Sequence, residues 1–298
     1  MVTLRQLEVF AAVVASGSVT AAAHRLYVSQ PSVSDTLRAI ETDIGAPLFV
    51  GRGRARELSP AGQIYIEHTR RILATVDQAA QAVADLREKP GGRLRILAVT
   101  TVGEHLLPRM LRGFLDQFPD VELTLQVSNR GEARRALEEA AVDLAVMGRP
   151  PEGLAVEVRP FAPNRLHLVC ASGYQLVVSA TVDARAGATL LVREEGSGSR
   201  AAAEEAMEQL GWRPARIMVL GSNAALLAAT RESLGVAVIP ELAVADDLRS
   251  GRLVRVPVPG FPMLREWQAV WPSRRQLSRP AAAFLDHLLE VGPRLVAG

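Results

Sequence analysis

The sequence predicts an all-α N-terminal unit, then one long helix, then an α/β half, and three observations carry that reading. Apolar residues recur at helical spacing near the start, as Leu4, Leu7, Phe10 and Val14 and again as Val33, Leu37, Ile40 and Ile44. From Tyr65 to Leu86 the seam positions step alternately by four and three residues. Beyond Arg93, short apolar runs alternate with helical stretches, the pattern of largely parallel strands with helices packed on their faces.

The first helix stops near Gly17, and Ser18 is placed to cap the next, its hydroxyl accepting from a free backbone N–H. Ala21, Ala22 and Ala23 keep that second helix thin, with Leu26 as its larger anchor, which lets a neighbouring helix cross closely. Ser29 caps a third helix and Pro31 falls in its first turn, where a missing N–H costs little. The Val33–Ile44 stripe faces inward. The opposite face carries Pro31, Ser34, Asp35, Arg38 and Thr42, short hydroxyls and one guanidinium that suit a DNA major groove. Any small three-helix unit also has a solvated outer face, and the helical wheel alone does not separate the two readings.

"PLFVGRGRARELSPAG" (47–62) reads as a turn-rich hairpin with Arg52, Arg54 and Arg56 at alternate positions, so that they share one face. That is a wing suited to a phosphate backbone, giving affinity with little sequence information. Together, "AAHRLYVSQPSVSDTLRAIETDIGAPLF" and the following Leu58-Ser59-Pro60-Ala61-Gly62 resemble the winged helix–turn–helix of the LysR-type transcriptional regulators. The resemblance implies contact with double-stranded promoter DNA through Ser29, Gln30, Pro31, Ser32, Ser34, Asp35, Arg38, Arg52 and Arg54. Two departures bear on base preference: Gly51 stands where the family usually has a wing arginine, and Thr36 replaces a usual glutamine while Asp35 adds a negative charge.

The alternation from Tyr65 continues through Thr69, Ile72, Val76, Ala79, Val83 and Leu86, an a/d seam of about three heptads. A helix from Pro60 to Arg87 would be about 40 Å long. Such a seam packs either on its own domain or on a second copy. The resemblance favours a dimer through Tyr65, Ile72, Val76, Ala79, Val83 and Leu86, with a tetramer as the further expectation. "EKPGGR" (88–93) ends the rod as a hinge.

In the second half, "RLRILAV", "ELTLQV", "DLAVMG", "RLHLVC", "ATLLV", "RIMVL" and "GVAVIP" read as strands. Helices are expected near 104–118 and 131–141. Ligands of such folds sit beyond the carboxyl ends of the strands. Thr100 and Thr101 follow the first strand, Ser128 and Asn129 the second, Gly148 and Arg149 the third. Gly196-Ser197-Gly198-Ser199 precedes a helix holding Arg200, and Asn223 caps another. Hydroxyls, helix N-termini and guanidinium groups together form an anion site. Each hydroxyl alone reads equally as an ordinary cap; their convergence supports a ligand.

Composition excludes several classes. Of 298 residues, 48% are hydrophobic and 22% charged, with a net charge of +2, so no broad polyanion-binding surface is implied. No apolar run approaches the roughly 20 residues that span a bilayer. Arg5, Gln6 and Glu8 make the N-terminus an amphipathic helix rather than an export signal. The single cysteine, Cys170, points to a reducing, cytoplasmic setting and a buried role. His24, His68, His105, His167 and His287 show no metal-ligand spacing, and no nucleophile–base pair, P-loop or metalloprotease string is present. The expectation is no metal, no cofactor and no enzymatic activity. An α/β enzyme or a solute-binding protein are the competing classes; the first lacks its catalytic pair and the second has no use for residues 1–88.

The family resemblance covers the whole chain. It implies a winged helix–turn–helix at 1–59, a linker and dimerisation helix at 60–88, a hinge at 89–93 and an effector domain at 94–298. The last is expected as two periplasmic-binding-protein-like subdomains, 94–162 with 266–298 and 163–265. Thr100, Thr101, Asn129, Gly148, Arg149, Ser197, Gly198, Ser199, Arg200 and Asn223 are its expected effector residues. "TTVGEHLLPRML", "MGRPPEGL", "REEGSGSR" and "GSN" are similar to the branch controlling carbon-fixation (Calvin-cycle) operons, which implies a phosphorylated metabolite or dinucleotide as effector. Within the same family, an unrelated operon with a different effector is the alternative. RNA polymerase is a further expected partner.

Overall fold

The computed structural model describes residues 1–50, 57–84, 91–174 and 188–297. The chain forms two compact units, the first essentially residues 1–84 and the second the remainder.

In the first unit, helix α1 (Leu4–Ser16) opens with a reciprocal capping box between Thr3 and Gln6 and closes at Gly17, whose φ of 67° is left-handed. Helix α2 (Val19–Leu26) starts on Ser18, whose side chain accepts from the Ala21 N–H. Helix α3 (Gln30–Ile44) starts on Ser29, which accepts from the Ser32 N–H, and Gly45 ends it. Phe10, Ala22, Val33, Ile40 and Leu48 are fully buried at their junction. Truncating one of the larger of these is expected to cost about 2–5 kcal/mol. Ile44 departs from the expected stripe: it is 36% exposed, because it lies in the last turn of α3, where Gly45 redirects the chain.

Strands β1 (Phe49–Val50) and β2 (Glu57–Leu58) pair antiparallel, forming the base of the expected wing. Arg52, Arg54 and Arg56 lie outside the described residues. Helix α4 (Pro60–Ala84) crosses the backbone closely: a Cβ at Gly62 would stand 2.0 Å from the Leu48 carbonyl oxygen, so only glycine fits there. The predicted seam splits in two. Tyr65 packs on Phe10 within this unit, ring centroids 5.6 Å apart and tilted by 53°, and Thr69 is 1% exposed. Ile72, Val76 and Val83 are 45%, 44% and 70% exposed, and Ala79 is also exposed. Leu86 and residues 88–90, where the expected hinge begins, lie outside the described residues.

The second unit is one continuous mixed sheet. Strand β3 (Gly92–Val99) pairs in parallel with β4 (Val121–Ser128) and β5 (Leu144–Met147). Strand β7 (Thr189–Arg193) pairs in parallel with β8 (Arg216–Leu220) and β9 (Val236–Pro240). The expectation of largely parallel sheets holds within each group but not between them. Two long strands, β6 (Val156–Ala171) and β11 (Met263–Pro272), run antiparallel and join the groups, with β10 (Leu253–Arg255) added to β6. "RLHLVC" is therefore the end of a 16-residue strand. Pro160 and Pro163 obscure its beginning in the sequence, and the ladder absorbs them beside a register shift at Trp267/Gln268.

The expected helix at 104–118 is also two helices. Helix α5 (Thr100–His105) and helix α6 (Leu107–Gln117) break at Leu106, ahead of Pro108. Helix α7 (Arg130–Glu138) follows β4, α8 (Gly198–Gln209) follows β7, α9 (Asn223–Arg231) follows β8, α10 (Glu241–Arg249) follows β9 and α11 (Arg279–Ala297) ends the chain. Each sheet group has its own core: Leu94, Phe114, Val146 and Phe284 in one, Leu168, Leu190, Trp212 and Val238 in the other. Cys170 is fully buried in the second, and burial pushes its thiol up to about 11.

Candidate functional site

The ends of five strands meet at one cavity. Val99, Ser128, Met147, Arg193 and Pro240, the final residues of β3, β4, β5, β7 and β9, all line a space of ≈ 80 Å³ between the two sheet groups. This is the crevice that parallel α/β topology leaves beyond its strands. Thr100, Thr101, Asn129, Gly148, Arg149, Ser197, Gly198 and Ser199 line it as well.

Two expected residues stand elsewhere. Arg200 faces a neighbouring outer cavity, where its Nε donates to Glu204 at 2.8 Å. Asn223 does not cap its helix; Ser222 does, accepting from the Ala225 N–H. The Asn223 amide instead turns inward, accepting from Arg193 Nη1 and donating to Thr101 Oγ1 at 3.2 Å. All three side chains are nearly buried.

The lining carries four guanidinium groups, Arg130, Arg149, Arg193 and Arg265, and the Glu205 carboxylate, while Glu152 lies 3.8 Å from Arg130 Nη2 and 3.5 Å from Arg149 Nη2. Arg193 grips Glu194 through Nε at 2.7 Å and Nη2 at 2.9 Å. Glu205 accepts from Arg265 Nη2 at 2.7 Å and lies 3.7 Å from Arg149 Nη1. Ser197 is the N-cap residue of α8 yet makes no side-chain capping bond to the first-turn N–H groups of α8. Asn129 caps α7 through the Glu132 N–H at 3.0 Å, and the Arg130 N–H donates to the Gly196 carbonyl at 3.1 Å, joining the two sheet groups. Gly148 is a close approach, since a Cβ there would meet Asn164 Nδ2 at 3.0 Å and the amide would have to give way. Sequence reasoning missed Arg130, Asn164, Arg193, Glu205, Arg265 and Trp267. Arg193 carried a signal, a charge ending the apolar run "TLLV" directly before a Gly-Ser turn.

On the first unit, Ser29, Gln30, Pro31 and Ser32 are exposed at the start of α3, and Ser34 is half-buried. Arg38 Nη1 donates to Asp35 at 2.8 Å, both side chains well exposed. Arg52 and Arg54 lie outside the described residues. Among the described residues no group of three His, Cys, Asp or Glu is placed to hold a metal ion, and no helix is long and apolar enough to cross a membrane.

Comparison with known proteins matches residues 4–63 to the bacterial regulatory helix-turn-helix protein, lysR family, and residues 87–293 to the LysR substrate binding domain. The chain belongs to the LysR family. Among similar LysR relatives is the HTH-type transcriptional regulator CbbR of Rhodospirillum rubrum, 37% identical over 96% of this chain and 95% of that protein. The HTH-type transcriptional activator CmpR of a Synechocystis strain is 33% identical over 96% of this chain and 94% of its own. Among solved structures, the CcmR regulatory domain of Synechocystis PCC6803 in complex with 2-PG superimposes with a TM-score of 0.63. It is 28% identical and covers 67% of this chain and 97% of its own. This LysR protein is thus a DNA-binding transcriptional regulator with an effector-binding domain, and not an enzyme. The matched helix-turn-helix region contains α1, α2 and α3 of the first unit, and the strand-end cleft lies within the matched substrate binding domain.

Proposed function

We propose that this regulator controls a carbon-fixation operon and that its effector is a small phosphorylated acid held in the strand-end cleft. The observation that carries this reading is the cleft lining: hydroxyls of Thr100, Thr101, Ser197 and Ser199, the N-terminus of α8 and four guanidinium groups around ≈ 80 Å³. That space is well below the roughly 300–1,000 Å³ of sites for drug-sized ligands, which favours a compact anion over a dinucleotide. The relatives named CbbR and CmpR and the 2-PG complex of the CcmR regulatory domain support the same choice.

The Asn223–Thr101 and Arg130–Gly196 bonds link the two sheet groups, so a ligand beside them biases one relative arrangement over another. Transmission to the operator is expected to run through paired α4 helices, whose exposed Ile72, Val76 and Val83 suit a second copy. A dimer, its further pairing to a tetramer, contact with RNA polymerase and a cytoplasmic site of action belong to this proposal.

The test is thermal melting of the full-length protein with 2-PG, inorganic phosphate or a reduced dinucleotide, alongside footprinting of bound DNA. Ligand at 100 times its Kd stabilises by about 2.7 kcal/mol. Stabilisation by 2-PG together with a changed footprint is expected. Stabilisation by the dinucleotide alone, or a footprint indifferent to every ligand, would overturn the assignment.

A further inference from the structure

Tyr27 is the residue of the first unit that the fold does not explain. It ends α2 with φ 55° and ψ 42°, a left-handed conformation that disfavours a bulky L-residue. The turn needs that conformation, because the Tyr27 N–H donates to the Ala23 and His24 carbonyls and the Val28 N–H to Ala23. Glycine or asparagine would meet the requirement at lower cost. The tyrosine side chain adds nothing to packing in return, for the residue is 96% exposed. A large aromatic kept in a strained backbone and wholly in solvent serves something outside the chain.

Its position says what. Tyr27 stands two residues before Ser29, the cap of the helix whose exposed first turn carries Gln30, Pro31 and Ser32. Exposed His24 and Arg25 flank it, and no carboxylate occurs in the chain between Glu8 and Asp35. This stretch of chain therefore carries an exposed phenol, imidazole and guanidinium and no carboxylate, and it leads directly into the Ser29-capped first turn of α3. We propose that Tyr27 is a DNA-positioning residue whose hydroxyl donates to a backbone phosphate next to the groove entered by α3. This rests on DNA binding by the helix–turn–helix. A phosphate contact fixes register without reading sequence, and it acts on every duplex alike.

The experiment compares full-length wild type, Tyr27→Asn and Tyr27→Phe. The probes are a duplex that the wild type selects from a randomised pool and a random duplex of equal length, titrated over a range of salt. Asparagine is expected to raise or preserve the melting temperature while weakening both duplexes about tenfold, the scale of a hydrogen bond to a charged group. The salt dependence is expected to stay unchanged, because no cation is removed. Phenylalanine is expected to lose as much affinity as asparagine. Undiminished affinity in Tyr27→Asn would overturn the proposal, as would a fall in melting temperature that accompanies the loss, which marks a structural role. Full binding by Tyr27→Phe would overturn the hydroxyl contact. Failure of the wild type to retard any duplex would instead strike the DNA-binding assignment itself.

Discussion

Asn223 donates to Thr101 at 3.2 Å, although the two residues stand 122 positions apart and belong to different sheet groups. The same amide accepts from Arg193, so one side chain ties the cleft's buried guanidinium to the opposite wall. Asn223→Asp retains an acceptor for Arg193, removes the donor to Thr101 and sets a negative charge beside a site proposed for an anion. The expected outcome is a rise of about tenfold or more in the 2-PG concentration for half-maximal thermal stabilisation, the scale of a charge-assisted bond. Affinity for DNA without effector is expected to stay at wild type. An unaltered titration would remove this wall from the effector site.

Arg38 donates to Asp35 at 2.8 Å, and both side chains are largely in solvent. Such a pair contributes about 0–1 kcal/mol, so a guanine edge can displace the carboxylate with little loss. Arg38→Ala is expected to weaken binding to the selected duplex by about 1–3 kcal/mol while leaving random duplex much less affected. Asp35→Asn is expected to do the reverse, tightening random DNA because a negative charge leaves the exposed face of α3 proposed to meet the duplex. Gel retardation on both duplexes at fixed salt checks the pair. Equal losses on the two duplexes for Arg38→Ala would make it a phosphate contact.

The residues that were easy to place from sequence are those whose structure is decided locally. Ser18, Ser29 and Gly17 each start or stop a helix through bonds within a few residues, and the structure shows those bonds. The strand ends were legible as a set because periodicity switches there. What escaped was decided by distant partners. The bulge that accommodates Pro160 depends on β11, about a hundred residues later, and Asn223 reads as a helix cap until Arg193 and Thr101 are in place. Thr69 shows the limit of periodicity itself. It fits the heptad seam yet is 1% exposed in the single chain, just after Tyr65 and Ile66, which pack in the core of the first unit.

Beyond Thr69 the seam has no such cover. Ile72 and Val76 are both more than two-fifths exposed, and burying such side chains against a second copy stabilises by about 1.5–3 kcal/mol each at full burial. Replacing both by glutamate sets like charges in the proposed interface. Sedimentation velocity on Ile72→Glu/Val76→Glu is expected to show a shift to monomer, with an unchanged melting profile for the effector domain. A double variant that sediments as wild type would move the interface off α4.

His167 supplies a test that depends on pH. It is 6% exposed on β6, and burial holds its imidazole below the ordinary 6.5; Glu241 at 3.4 Å opposes the shift, while Arg255 and Arg165 reinforce it. Its pKa is lower folded than unfolded, so between the two values the unfolded chain binds the extra proton. Stability from this residue is therefore complete above about pH 6.5 and is lost as pH falls through the lowered value. The slope cannot exceed about 1.4 kcal/mol per pH unit for one proton. Melting temperatures of wild type and His167→Asn, measured from pH 7.5 down to 5, are expected to converge as pH falls, the wild type losing more. Parallel curves would show that the imidazole titrates alike in both states, and that burial beside Glu241 leaves its proton affinity unchanged.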